Sequence, residues 1–281
     1  MHGILACMIF DPILTPASLA ASFDDFVLLD ARSGPTAREK FIAAHLRGAH
    51  WVDLETDLAT KREGEGRHPL PTREKFAKTL ARIGVSPSSR VCVYDDQLGA
   101  NAAARCWWML RQVGIEAYVL EGGWPAAQAL PMASGEEPDA SLEVSTWPLL
   151  DARTISIGDV DRVRSQADWR LIDVRAHARF SGASETIDPV AGHVPGAINV
   201  PFSENMTSDG RFLDRDALRT KYEAIFGDVP MERVVLQCGS GVTACHTLLA
   251  LERAGLHGAT LWVGSFSQWC RQAERPIGRT A

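Results

Sequence analysis

An internal repeat narrows the fold of this 281-residue chain more than any other feature of it. Leu28-Leu29-Asp30-Ala31-Arg32 recurs as Leu171-Ile172-Asp173-Val174-Arg175, 143 residues later. Ala44-His45-Leu46-Arg47-Gly48-Ala49 recurs as Gly192-His193-Val194-Pro195-Gly196-Ala197 at an offset of 148. Val91-Cys92-Val93-Tyr94-Asp95 matches Val234-Val235-Leu236-Gln237-Cys238 at 143 again, and Leu120-Glu121-Gly122-Gly123 matches Leu261-Trp262-Val263-Gly264 at 141. Four matches in one order at nearly constant spacing mark a duplicated unit of about 140 residues, the size of a domain rather than of a solenoid repeat.

Each half reads alike. Phe26–Leu29, Arg90–Tyr94, Val234–Gln237 and Ala259–Val263 are short continuous apolar runs, the pattern of strands covered on both faces. Ala100–Gln112, stopped by Gly114, and Val242–Ala254, stopped by Gly255, read as helices between them. Strands alternating with helices of that length predict α/β architecture, each half an open parallel sheet with helices on both faces. The boundaries fall at 1–130 and 152–281. Between them 131–151 is polar, holds Pro138 and shows no period, so it reads as a linker.

A net charge of −6 and a pI of about 5.8 argue against a nucleic-acid partner, which needs a clustered basic surface. An anionic substrate must then be held by local donors. The six cysteines, Cys7, Cys92, Cys106, Cys238, Cys245 and Cys270, form no C-x-x-C pair and no zinc-type spacing with histidine, so no metal is expected. A chain of this size needs no disulfide staples. The apolar run Gly3 to Phe10 lacks a basic flank, meets Asp11 at once and is too short for a bilayer. A reduced, cytoplasmic protein without a membrane partner is the expectation.

The chemistry concentrates in Gln237-Cys238-Gly239-Ser240-Gly241-Val242-Thr243-Ala244. A strand ends, a cysteine follows, two glycines allow a tight turn and a helix begins. Such a turn directs backbone N–H groups inward as an anion nest, and the helix start adds its positive dipole end. A thiol there is favoured as thiolate, the reactive form, whereas most buried cysteines are inert. Cys238 aligns with Asp95, so the loop Asp95-Asp96-Gln97-Leu98-Gly99-Ala100 holds no thiol, and with fewer glycines it should not form the nest.

These residues resemble the rhodanese superfamily. The C-G-S-G-V-T loop is similar to that of its 3-mercaptopyruvate sulfurtransferases, whereas thiosulfate sulfurtransferases usually carry basic residues directly after the cysteine. Gly192–Pro201 fits the family's G-H-x-P-G-A-x-N-x-P run, and Asp173 and Arg175 its Asp-x-Arg strand end. The resemblance covers nearly the whole chain. It implies two rhodanese-like domains, the first silent, and a persulfide on Cys238 taken from a small-molecule sulfur donor. It implies no cofactor, and as acceptor a thiol such as thioredoxin, a low-molecular-weight thiol, or cyanide. The substrate contacts would be Gly239, Gly241, Val242, Thr243 and Arg179, the last within the family's Arg-Phe pair. A second family arginine follows Glu-Pro, but here Glu185-Thr186-Ile187 puts isoleucine at its place.

The resemblance further implies that Ser240 acts with His68, which stands in Gly66-Arg67-His68-Pro69. Glu55 and Asp57 are the candidates for the acid partner, with Asp57 carried forward. A serine oriented by histidine can protonate the enolate left when sulfur departs. His45 and His193 precede turn glycines in both halves, which reads as structural. Trp107 and Trp108 suit packing, Trp262 and Phe266 the cleft wall, and Cys245 and Cys270 no part in catalysis. A cysteine phosphatase needs arginine six residues after its cysteine, and position 244 is alanine. A non-catalytic rhodanese-like module fits the first half and is disfavoured in the second by the intact cysteine loop.

Overall fold

The computed structural model describes residues 10–148 and 153–280. Cys7, most of the run Gly3 to Phe10, and the join of linker and second domain at 149–152 lie outside the described residues.

The first sheet is parallel throughout. Its strands are β1 (Ile13–Leu14), β2 (Val27–Asp30), β3 (His50–Trp51), β4 (Arg90–Tyr94) and β5 (Glu116–Leu120), in the order β1-β5-β4-β2-β3. The second sheet holds β6 (Arg170–Asp173), β7 (Ile198–Asn199), β8 (Val234–Gln237) and β9 (Thr260–Leu261), in the order β9-β8-β6-β7. Repeat and register agree. Leu28 pairs with Cys92 in the first sheet and its counterpart Leu171 with Val235 in the second; Asp30 faces Trp51 as Asp173 faces Asn199. The strand expected over Ala259–Val263 shrinks to the two residues of β9, because the chain turns into the short helix Ser265–Trp269.

Buried strands explain the continuous apolar runs: Leu28, Leu29, Val91, Val93, Val234, Val235 and Leu236 are all buried. Helix α1 (Arg73–Arg82) is capped by the Thr72 hydroxyl, and α2 (Ala102–Gln112) follows the silent loop. Helix α3 (Ala244–Arg253) follows the Cys238 loop. Gly114 and Gly255, read as stops, take φ of 86° and 74° just past the two helices. Helices α2 and α3 pack on each other, so one apolar cluster runs from Val93 and Trp107 in the first domain to Leu236 and Leu249 in the second.

The Asp-x-Arg pairs are structural twins. Arg32 closes on Asp30 and on the Ala44 carbonyl, and Arg175 closes on Asp173 and on the Gly192 carbonyl. His45 and His193 repeat this equivalence: each ring nitrogen Nδ1 bonds a backbone carbonyl, of Phe41 or Phe180, and each ring stacks on that phenylalanine. Trp107 and Trp108 lie in the core. Trp262 and Phe266, expected in the cleft, are 1% and 0% exposed and belong to a second-domain core cluster with Trp269. From 134 to 148 the segment read as linker has neither helix nor strand, yet it is pinned: the Ala140 and Leu142 N–H groups donate to Arg82 and Ala81, and Trp147 is buried. Among the described residues no helix is long and apolar enough to cross a membrane.

Candidate active site

Strand β8 delivers Cys238 at its carboxyl end, where open parallel sheets place their clefts. Cys238 is 3% exposed and opens on a cavity of about 670 Å³ between the domains. Gly239, Ser240, Val242, Thr243, Arg179 and Ile187 line it from the second domain, and Glu55, Arg67, His68 and Asn101 from the first. Gly241 does not line the cavity. It takes φ of 73°, and a Cβ there would lie 2.4 Å from the Val263 carbonyl oxygen, so the turn passes too close to the backbone after β9 for any side chain. Gly239 has another role. Its φ is ordinary, but a Cβ would lie 2.7 Å from the Arg67 guanidinium and 3.5 Å from that of Arg179. The missing side chain makes room for two cations.

The silent loop shows what this turn does to negative charge. Asp95, the counterpart of Cys238, accepts hydrogen bonds from the backbone N–H groups of Gln97, Gly99, Asn101 and Ala103, at 2.9, 2.8, 3.1 and 3.1 Å. Leu98 takes a left-handed φ of 58°, where its counterpart Gly241 takes 73°. The expectation that this loop lacks a nest is therefore corrected: the nest exists and Asp95 fills it. Burial pushes the Asp95 carboxyl above its ordinary value, against the pull of the four N–H donors. In the Cys238 loop the N–H groups from Gly239 to Thr243 have no acceptor among the described residues.

Ser240 meets His68 across the domain boundary, with Nδ1 2.7 Å from Oγ, and the other ring nitrogen lies 2.9 Å from Glu55 Oε1. Glu55 is thus the carboxylate in contact with His68. Asp57, carried forward from the sequence, instead bonds Arg82 at 2.7 Å and accepts from the Asp53 N–H at 2.9 Å. With a carboxylate on Nε2, the neutral ring carries its proton there and presents Nδ1 to the Ser240 hydroxyl. Burial lowers the His68 pKa below its ordinary value, opposed by Glu55 and helped by Arg105 and Arg67.

Arg179 reaches the cavity as expected. Its Nε and Nη2 are held by Glu185, and Nη2 also by Asp188 at 3.2 Å, which leaves Nη1 without an acceptor among the described residues and beside Gly239. Ile187, at the place of the family's second arginine, is 56% exposed. Sequence reasoning missed Arg67. Its Nη1 pairs with Asp188 and its Nη2 stands by Gly239, so the second guanidinium comes from the opposite domain. The available signal was its place directly before His68. Burial pushes the Cys245 thiol up to about 12 and raises that of Cys270, which leaves both as thiols.

The site as built combines the Cys238 sulfur, an anion nest, two guanidinium groups and a hydrogen-bonded chain from Ser240 through His68 to Glu55. Known proteins share its setting. A Pseudomonas aeruginosa protein provisionally named 3-mercaptopyruvate sulfurtransferase is 41% identical over 288 residues, 94% of this chain and 97% of its own length. A Mycobacterium tuberculosis protein provisionally named thiosulfate sulfurtransferase is 35% identical over 95% of this chain and 96% of its own. The solved 3-mercaptopyruvate sulfurtransferase of Leishmania major superposes with a TM-score of 0.83 at 28% identity, covering 94% of this chain and 75% of that one. The rhodanese-like domain description matches twice, over residues 15–130 and 156–272, and the chain belongs to that family.

Proposed function

We propose that the protein is a sulfurtransferase that takes the thiol sulfur of 3-mercaptopyruvate onto Cys238, where it becomes the sulfane sulfur of a persulfide, and passes it to a thiol or cyanide. The observation that carries this reading is the Ser240–His68–Glu55 relay opening on the same cavity as Cys238. The Cys238 thiolate attacks the donor sulfur, an S–S bond forms, and the C–S bond breaks with its electron pair moving to C3. The resulting pyruvate enolate needs one proton, and the transferred sulfur has one to lose. Ser240 hands its proton to C3 and is reprotonated through His68, so the balance closes without a cofactor. Arg67 Nη2 and Arg179 Nη1 hold the donor carboxylate, and the loop N–H groups hold the perthiolate that remains.

Two guanidinium groups also suit thiosulfate, a dianion whose leaving group, sulfite, needs no proton. The relay would then be idle, which is why mercaptopyruvate is placed first. Thioredoxin or a low-molecular-weight thiol suits the acceptor step, and a reducing cytoplasm keeps Cys238 free for it. Steady-state assays of both donors, with mass measurement of the loaded chain, test the reading. One added sulfur at Cys238 and a higher kcat/KM for mercaptopyruvate support it, and a chain that gains no sulfur from either donor overturns it.

A further inference from the structure

Behind the two guanidinium groups of the cavity lies one carboxylate, Asp188, whose side chain is 0% exposed. The turn at Glu185 puts it there. Glu185 Oε1 accepts from the backbone N–H groups of Ile187 and Asp188 at 2.8 and 3.0 Å, so that Ile187 stays exposed and the next side chain is buried. Asp188 Oδ1 pairs with Arg67 Nη1 of the first domain and with Arg271 Nη1 at 3.1 Å, and Oδ2 pairs with Arg179 Nη2 at 3.2 Å. One cation is enough to match a buried carboxylate, and this one has three, from three separate segments of the chain.

The forks of Arg67 and Arg179 are divided in the same way. Arg67 gives Nη1 to Asp188 and stands with Nη2 beside Gly239, while Arg179 gives Nη2 to Asp188 and keeps Nη1 beside Gly239. Like charges repel, and long side chains lose rotamer freedom when held. Two guanidinium groups that start in different domains therefore face one glycine only if something anchors their other nitrogens, and Asp188 is the group common to both. With isoleucine at the place of the family's second arginine, the chain draws its second guanidinium from across the seam, and the residue next to that isoleucine holds it.

We propose that Asp188 is the positioning residue of the donor site: it holds Arg67 and Arg179 side by side across the domain boundary, so that one nitrogen of each converges on a single anion above Gly239. The proposal rests on the reading of the cavity as the place where the sulfur donor binds. The opposite role has an opposite sign, because a carboxylate that only competed with the donor for the two arginines would tighten donor binding when removed. Steady-state kinetics with whichever donor loads the wild-type chain tell the two apart. Asp188→Asn should raise KM by about tenfold and change kcat by less than about threefold. In that background Arg67→Met should add less than about threefold, although alone it costs about tenfold, because Arg67 is already out of place. Arg67→Lys should stay within about threefold of Arg67→Met, since an ammonium lacks the fork that serves Asp188 and the donor at once.

An unchanged or lower KM in a folded Asp188→Asn overturns the proposal, and so does a double variant whose two losses simply multiply, which marks Asp188 and Arg67 as independent. Should Asp188→Asn not fold, Arg67→Lys decides alone: a KM closer to that of Arg67→Met supports the proposal, and a KM closer to that of wild type sinks it. Failure of the sulfurtransferase reading looks different, since the wild-type chain would then gain no sulfur from either donor, and this proposal would fall with it.

Discussion

Replacing His68 by alanine should separate the two sulfur donors. The ring stands 2.7 Å from Ser240 and, among the described residues, makes no hydrogen bond to Cys238, so its loss should leave the nucleophile and the nest intact. Its backbone carbonyl, which Arg105 holds, also stays. With mercaptopyruvate, carbon must be protonated as C–S breaks, and positioned acid–base catalysis of that kind contributes about 10²–10⁴-fold. With thiosulfate, sulfite departs without a proton. His68→Ala should therefore lower kcat for mercaptopyruvate by about 100-fold or more and change that for thiosulfate by less than about fivefold. Glu55→Gln should show the same asymmetry on a smaller scale. The Glu55 side chain is 57% exposed, which limits its hydrogen bond with the neutral His68 ring to about 0.5–1 kcal/mol and the loss to about two- to fivefold. Pyruvate release and sulfite release measured on the same preparations give both rates. Equal losses on the two donors would refute the relay and make His68 a packing residue.

Cys238→Ser should abolish transfer from every donor, because a hydroxyl holds no sulfane sulfur, while the melting temperature barely moves; Cys245→Ser and Cys270→Ser should keep most activity in the same assay. Arg67→Met should raise KM for mercaptopyruvate by about tenfold or more with a smaller change in kcat, the mark of a lost charge-assisted contact. Asp57→Asn should lower thermal stability by about 1–2 kcal/mol through its bonds to Arg82 and the Asp53 N–H and leave the donor ratio unchanged. Because burial holds the His68 ring neutral below its ordinary value of 6.5, mercaptopyruvate turnover should persist at pH 6.5 and fall only at lower pH. The stability that comes from keeping the ring neutral is likewise complete above 6.5 and lost as the pH falls, and pH-dependent melting of wild type against His68→Ala reads it.

The repeat made most of the fold legible, because a parallel strand pair fixes its register residue by residue: Leu28 with Cys92 predicts Leu171 with Val235. Cys238 was legible for a similar reason, since strand, cysteine, glycines and helix follow one another along the chain. What the sequence obscured was set by approach in space. Glu55 and Asp57 are two residues apart, and only the turn begun by Asp53, whose Oδ1 accepts from the Glu55 and Thr56 N–H groups, sends Glu55 toward His68 and Asp57 toward Arg82. Gly239 looked like a turn residue because its service, room for two guanidinium groups, depends on side chains from both domains. The Asp95 loop looked too poor in glycine to form a nest because Leu98 takes the left-handed conformation that glycine was expected to supply.

The position of the cavity between the two halves makes the sulfur donor a mechanical element as well as a reactant. In the proposed binding mode a carboxylate seated between Arg67 and Arg179 ties one domain to the other, so its binding free energy adds to whatever holds the halves together. Saturating pyruvate, which has the carboxylate and no sulfur to give, should resist the opening of that seam under mild urea or a shearing protease. Turnover would then loosen the cleft once per cycle, each time product leaves.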